Sequence, residues 1–175
     1  VSNIAYEAEK VVHGTPSGVD NTISSIGGFI AFRRSEGWLR IESKADFELV
    51  VGDTKIERST KELVAKVRSL RESFPDVINP IIHAIGHISI EAAKALREGD
   101  IESVGRLMDV NHGALWALGV SHEALDRLVY AAKKAGALGA KLTGAGGGGC
   151  MIALCRPGTA EAVARAIREA GGWPM

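Results

Sequence analysis

The 175-residue sequence predicts an α+β fold, and three observations carry that reading. A long central stretch, residues 59–135, repeats apolar residues at three- and four-residue spacing, as amphipathic helices do. Short apolar runs on either side of it have strand character and are bounded by Gly, Pro and polar turns. Strands and helices are mixed without strict alternation, which favours α+β layers over a doubly wound parallel sheet.

Taken in order, Ser2 to Val12 suits a helix with Ser2 or Asn3 as its cap. His13-Gly14-Thr15-Pro16 interrupts it, because Gly and Pro oppose helix continuation. Ser17 is placed to cap a short helix from Gly18 towards Ile26, which Gly27-Gly28 ends. Strands are expected at Phe29–Arg33, Trp38–Ile41 and Phe47–Val51. Helices follow at Ser59–Phe74, Asn79–Arg97, Ile101–Leu118 and His122–Ala135. Their breaks fall at Pro75, Pro80, Glu98-Gly99-Asp100 and Gly119, with Asp100 and Ser121 as N-caps. The chain closes with strand Ala140–Thr143, a glycine loop, strand Cys150–Leu154, the turn Arg156-Pro157-Gly158 and a helix from Thr159 to Ala170.

Composition excludes several function classes. With 21 basic and 21 acidic residues the formal charge is zero, so the basic stripe that nucleic-acid binding requires is missing and no nucleic-acid partner is expected. No apolar run approaches the roughly 20 residues that span a bilayer, so no membrane partner is expected and a cytoplasmic location is the expectation. Cys150 and Cys155 lie an odd number of residues apart on one expected strand and point to opposite faces. They read as small buried hydrophobes in a reducing compartment. The chain opens at Val1 directly on helix-like spacing, the pattern expected of a truncated or cleaved chain.

Glycine is unevenly distributed: 21 residues, concentrated in a few turns. Lys141-Leu142-Thr143-Gly144-Ala145-Gly146-Gly147-Gly148-Gly149 is the sharpest local feature. Glycines let backbone N–H groups turn inward around an anion. The run Gly144–Gly149 fits G-x-G-x-x-G formally, but a dinucleotide fingerprint needs a helix next, and Cys150–Cys155 continues as a strand. No Gly-Lys-Ser/Thr follows, so a Walker A loop is excluded too. A plain hairpin turn needs only one or two glycines. The density here therefore points to phosphate binding by the loop.

His13-Gly14-Thr15-Pro16-Ser17-Gly18-Val19-Asp20-Asn21 is the second constellation. Asp20 falls in the first turn of a helix, where the positive dipole end favours a carboxylate that could accept a hydroxyl proton. From position alone, simple compensation of the dipole is the reading favoured over a catalytic one. Glu9 lies on the preceding helix and is expected to face the same loop. Two carboxylates beside a phosphate nest suggest one base and one magnesium ligand, since Mg²⁺ is bound by few carboxylates plus phosphate oxygens. Pairing of Glu9 with Lys10 is the plainer alternative.

HGTPSGVDN, followed by a Gly-Gly turn, and KLTGAGGGGC resemble the mevalonate kinases of the GHMP kinase superfamily. The likeness extends to DTKIERSTKELV at 53–64, to Asn111-His112 and to Ala117–His122, and covers essentially the whole chain. The resemblance implies ATP-dependent, Mg²⁺-assisted phosphorylation of mevalonate to 5-phosphomevalonate, a step of isoprenoid precursor synthesis. By position Asp20 matches the family's catalytic aspartate, Glu9 its magnesium ligand, and Thr60 a threonine near the base. Gly144–Gly148 match the C-terminal glycine motif, while His13 and Ser17 shape the acidic loop. The implied architecture is residues 1–30 as the end of the N-terminal kinase domain and 31–175 as the ferredoxin-like GHMP kinase C-terminal domain. The family's N-terminal lysine and its Pro-x-Gly-Leu-Gly-Ser-Ser loop are not in this sequence, so a missing N-terminal half is the expected partner and the chain alone should be inactive. Apolar surface left without its sheet partners predicts poor solubility or a homodimer. Rivals are another GHMP small-molecule kinase, or a non-catalytic nucleotide-binding module of the same fold.

Other features read as structural. His83 and His87 are spaced i, i+4 without a third ligand and suggest a solvated or partly buried pair. Asn111-His112 reads as a core or interface polar pair, and Trp38, Trp116 and Trp173 as packing residues. Arg58, Lys61 and Lys66 read as solvated charges on a helix face.

Overall fold

The structure is a computed structural model that describes Glu7 and residues 18–175. Glu9, His13 and Ser17 lie outside the described residues, as does the helix expected at 2–12 apart from Glu7, which is helical. Helix α1 (Val19–Ile26) leads into a two-stranded antiparallel hairpin, β1 (Phe29–Arg33) and β2 (Gly37–Ile41). Then come β3 (Glu48–Asp53), α2 (Thr60–Ser73), α3 (Pro75–Glu98), α4 (Ile101–Ala117) and α5 (Glu123–Lys134). The chain ends with β4 (Gly139–Leu142), β5 (Cys150–Cys155), α6 (Ala160–Glu169) and β6 (Trp173–Pro174). Helix and sheet are segregated as expected of an α+β fold, and the main sheet is antiparallel throughout, in the order β4-β5-β3-β6.

Two cores hold the sheet. On one face Val50, Met151, Ala153, Cys155, Ala140 and Leu142 meet Leu125, Leu128, Val163 and Ile167 of α5 and α6. On the other, Leu154 joins Ala95 and Val104, flanked by Phe47, Leu96 and Met108. The alternation along β5 assigns its odd residues to the first core and Leu154 to the second, as strand geometry requires. Cys150 and Cys155 are both unbridged; Cys155 is buried and Cys150 half-buried.

The boundaries correct several expectations. Helix α3 begins at Pro75 rather than Asn79, and Pro80 lies inside it. Proline is well suited to the first helical position. The bond lost at Pro80 is the one to the carbonyl four residues back, on exposed Asp76, where water can replace it. Phe74 therefore serves as C-cap of α2 and N-cap of α3 at once. Asp100 caps α4 through the Ser103 N–H (2.9 Å), but α5 is capped by His122, whose Nδ1 accepts the Ala124 N–H (3.1 Å), and not by Ser121. At the start of α1 the N-cap is Gly18, left-handed at φ 88°, in place of Ser17. The three tryptophans are not core residues: all are exposed, Trp116 by 63%. The expected domain boundary at residue 30 falls within β1. Among the described residues no helix is long and apolar enough to cross a membrane.

Helix α4 runs along the outer edge of β4. Close approach is permitted because Gly105 faces Gly139: a Cβ on Gly139 would lie 2.0 Å from the Gly105 carbonyl oxygen. The outward N–H groups of β4 are taken by α4 side chains, Ala140 by Asp109 Oδ1 (3.0 Å) and Leu142 by His112 Nδ1 (3.3 Å). Lys133 of α5 in turn pairs with Asp109 at 2.6 Å.

Candidate active site

The glycine loop joins β4 to β5 and closes against two other segments. The Gly147 N–H donates to the Val120 carbonyl (2.8 Å) and the Gly149 N–H to the Ile56 carbonyl (3.2 Å). Thr54 donates to the Gly149 carbonyl from both its N–H and its hydroxyl, each at 2.9 Å. Gly146 has φ 85°, and a Cβ there would lie 2.0 Å from the Val120 oxygen, so only glycine fits. Two of the loop's donors are thus spent on its own support. The N–H groups of Gly144, Ala145, Gly146 and Gly148 have no partner among the described residues. Gly144 is exposed and Ala145 half-buried, so their N–H groups are the ones within an anion's reach, whereas Gly146 and Gly148 are buried.

Two further features add positive potential. The guanidinium of Arg58 lies across the loop: a Cβ at Gly149 would fall 1.2 Å from its Nη1, and one at Gly144 3.2 Å from its Nη2. Arg58 is exposed and has no hydrogen-bond or ion-pair partner among the described residues. The N-terminus of α2 follows at once, capped by Ser59, whose hydroxyl accepts the Glu62 N–H (3.3 Å). Leu63 in its first turns packs against Gly147. Thr60 is the first residue of α2 and is exposed, so it shares this positive end. A guanidinium without an ion-pair partner among the described residues, a helix N-terminus and the unpaired donors of Gly144 and Ala145 meet at one loop, and that arrangement can bind a polyphosphate.

Lys141 and His112 frame the loop from behind. Burial pushes the Lys141 ammonium below its ordinary pKa, and its Nζ donates to the Leu142 carbonyl (2.7 Å). Burial also pushes His112 below 6.5, against the opposing pull of Asp126. Lys66, on α2, donates to the Gly119 carbonyl at 2.8 Å and ties that helix to the segment facing the loop.

Asp20 lies in the first turn of α1, as expected, and is exposed. No hydrogen bond or ion pair joins it to the glycine loop, and among the described residues it has neither kind of partner. Among those residues no group of three or more His, Cys, Asp or Glu could hold a metal ion, and Glu9 is outside them. His83 and His87 are exposed and line a surface depression with Asn79 and Pro80, in keeping with a solvated pair. Sequence reading set Arg58 aside as a solvated charge. Its position directly before the Ser59 cap is the available signal, since that places it at a helix N-terminus.

A family model described as GHMP kinases C terminal matches residues 92–172. The chain therefore carries a GHMP kinase C-terminal domain. It is similar to mevalonate kinases along its full length. That of Thermococcus gammatolerans is 47% identical, covering 100% of this chain and 53% of the relative. That of Mus musculus is 40% identical, covering 97% and 44%. The crystal structure of L. major mevalonate kinase in complex with R-mevalonate superposes with a TM-score of 0.86 at 34% identity, covering 92% of this chain and 51% of that one. The chain spans about half the length of the curated relatives it matches.

Proposed function

We propose that the chain is the C-terminal portion of a kinase that phosphorylates mevalonate with ATP, joined in the working enzyme to an N-terminal half like that of its relatives. The observation that supports this most directly is the glycine loop itself: unpaired, accessible donors on Gly144 and Ala145 beside Arg58, which has no ion-pair partner among the described residues. Its oxygen-binding geometry suits the equatorial oxygens of a transferring phosphoryl group, where charge is spread in the transition state.

In this reading Asp20 accepts the proton of the C5 hydroxyl as that oxygen bonds to the γ-phosphorus. The bridging P–O bond breaks and ADP departs with the electron pair. The glycine loop and Arg58 hold the charge on the transferred group. Mg²⁺ would neutralise phosphate charge, with Glu9 as its expected protein ligand. Thr60 borders the reacting groups, and His13 and Ser17 shape the loop before Asp20. We place residues 1–30 with the N-terminal catalytic domain and 31–175 with the C-terminal one. The unbridged cysteines suit a cytoplasmic setting. Apolar side chains exposed on α2 and α3, among them Val64, Phe74, Val77 and Ile90, support self-association, which a monodisperse monomer in light scattering would refute.

The test joins the chain to its N-terminal half and assays ATP-dependent phosphorylation of mevalonate, phosphomevalonate and galactose side by side. Mevalonate is the expected acceptor. Turnover of one of the others alone would reassign the substrate, and turnover of none would end the kinase reading.

A further inference from the structure

A single oxygen sits between the two supports of the glycine loop. Asp126 Oδ1, in the first turn of α5, accepts the Ser121 hydroxyl and also meets His112 Nε2 at 3.1 Å. Ser121 directly follows Val120, whose carbonyl receives the Gly147 N–H and blocks any side chain at Gly146. His112 presents its other nitrogen, Nδ1, to the Leu142 N–H at 3.3 Å, two residues before the loop begins. A backbone N–H can only donate, so Nδ1 is the acceptor and Nε2 carries the proton that faces Asp126.

We infer that Asp126 is a positioning residue for the glycine loop, holding the strand that enters it and the segment it closes against from one carboxylate. The functional meaning of this rests on the anion-binding reading above; the mechanical claim does not. Asp126 is well placed for the task. It follows the fully buried Leu125 and lies two residues before Leu128, also fully buried, so its backbone is fixed in the main core. The loop's free donors are useful only while Leu142 and Val120 keep their separation, because Gly144–Gly149 have little stiffness of their own. The charged and titratable groups facing His112 are Asp126 from α5, Asp109 from its own helix and Lys141 from β4. Burial dominates among them and keeps the ring neutral. Acid would put a proton on Nδ1, leaving two donors opposed at the root of the loop.

Amide hydrogen exchange on the full chain reads the linkage without reference to catalysis. In Asp126→Ala the Leu142 and Gly147 amides should both exchange at least about tenfold faster, while the Val51 amide, bonded to the Met175 carbonyl, keeps its rate. Ser121→Ala should accelerate Gly147 alone. His112→Gln, whose side-chain oxygen can take the Leu142 N–H, should leave both nearly unchanged. Acceleration of neither amide, or of Leu142 only, in Asp126→Ala overturns the inference. Should that variant not fold, an unaltered Gly147 amide in Ser121→Ala overturns it instead. In the assembled enzyme, the acid limb of kcat/KM for ATP should move to lower pH in His112→Gln, and a limb that stays in place counts against the inference. If the unsubstituted enzyme phosphorylates nothing, the kinase reading fails and the exchange rates alone decide.

Discussion

The glycine loop and the Asp20 helix advertise themselves in the same way, with glycines beside polar residues ahead of an element boundary, yet they are held very differently. The loop ends a four-stranded sheet with helices packed on it, and Gly146, Gly148 and Gly149 are buried within it. Helix α1 packs on β1, and neither β1 nor β2 buries a residue. The hairpin reaches the rest of the domain through contacts such as that of Phe29 with Phe47, ring centroids 5.7 Å apart. The phosphate side of the proposed cleft is thus braced by this chain's own core. Among the described residues, the proposed base is presented on a helix that rests on this hairpin.

This contrast can be broken at either end. The largest effect expected is on chemistry: Asp20→Ala should lower kcat of the assembled enzyme by about 10²–10⁴-fold. Because Asp20 is exposed and unpartnered among the described residues, its urea midpoint should stay within the equivalent of about 0.5 kcal/mol. A loss of stability instead would make it a structural residue. Gly146→Ala should do the reverse, costing about 2–4 kcal/mol through its left-handed backbone and the collision with Val120. Gly158 supplies the control, since its φ is 81° but nothing lies within 4 Å of a Cβ there; Gly158→Ala should cost only about 1–2 kcal/mol. Equal costs at the two positions would mean that the loop is not wedged.

Arg58→Ala should leave the unfolding midpoint alone and raise KM for ATP about tenfold, the loss of one charge-assisted contact. An unchanged KM would remove Arg58 from the nest. The smallest effect belongs to the hairpin: Phe29→Ala should destabilise by no more than about 1 kcal/mol, because its ring is already 38% exposed. A cost of several kcal/mol would show that the hairpin is integral to the core.

Stability should also depend on pH through His112. Its folded pKa lies below the ordinary 6.5, so the unfolded chain binds the extra proton first as pH falls. Its contribution is full above about 6.5 and is lost progressively as pH drops towards the lowered value. Urea midpoints across pH 5–8 should show this slope, and His112→Gln should flatten it.

Much of this was legible from residue patterns. Strand β1 was bounded correctly, and α2, α4 and α6 within a residue or two, because their apolar spacing is regular and their ends carry Ser, Asp, Thr and Gly. Pro80 misled because a proline near a helix start costs less than one in its middle. The sheet order was not legible: Val50 pairs with Ala153, and nothing local in either strand names its neighbour. The site divided along the same line. Glycine density marked the loop, whereas Arg58 and Val120 act through contacts between segments far apart in sequence. Ala117–His122 drew notice as a segment resembling the family, but no local feature disclosed that one carbonyl within it shapes the loop.

The side chains that occupy the border of β4 have a consequence for how copies of the molecule can meet. A free strand border is a template on which another chain can add by main-chain pairing. Here Asp109 and His112 already take the outward donors of Ala140 and Leu142, and α4 stands in the place of a fifth strand. Sheet extension from that side is foreclosed, and among the described residues the main sheet keeps a free border only at the opposite margin, Trp173–Pro174.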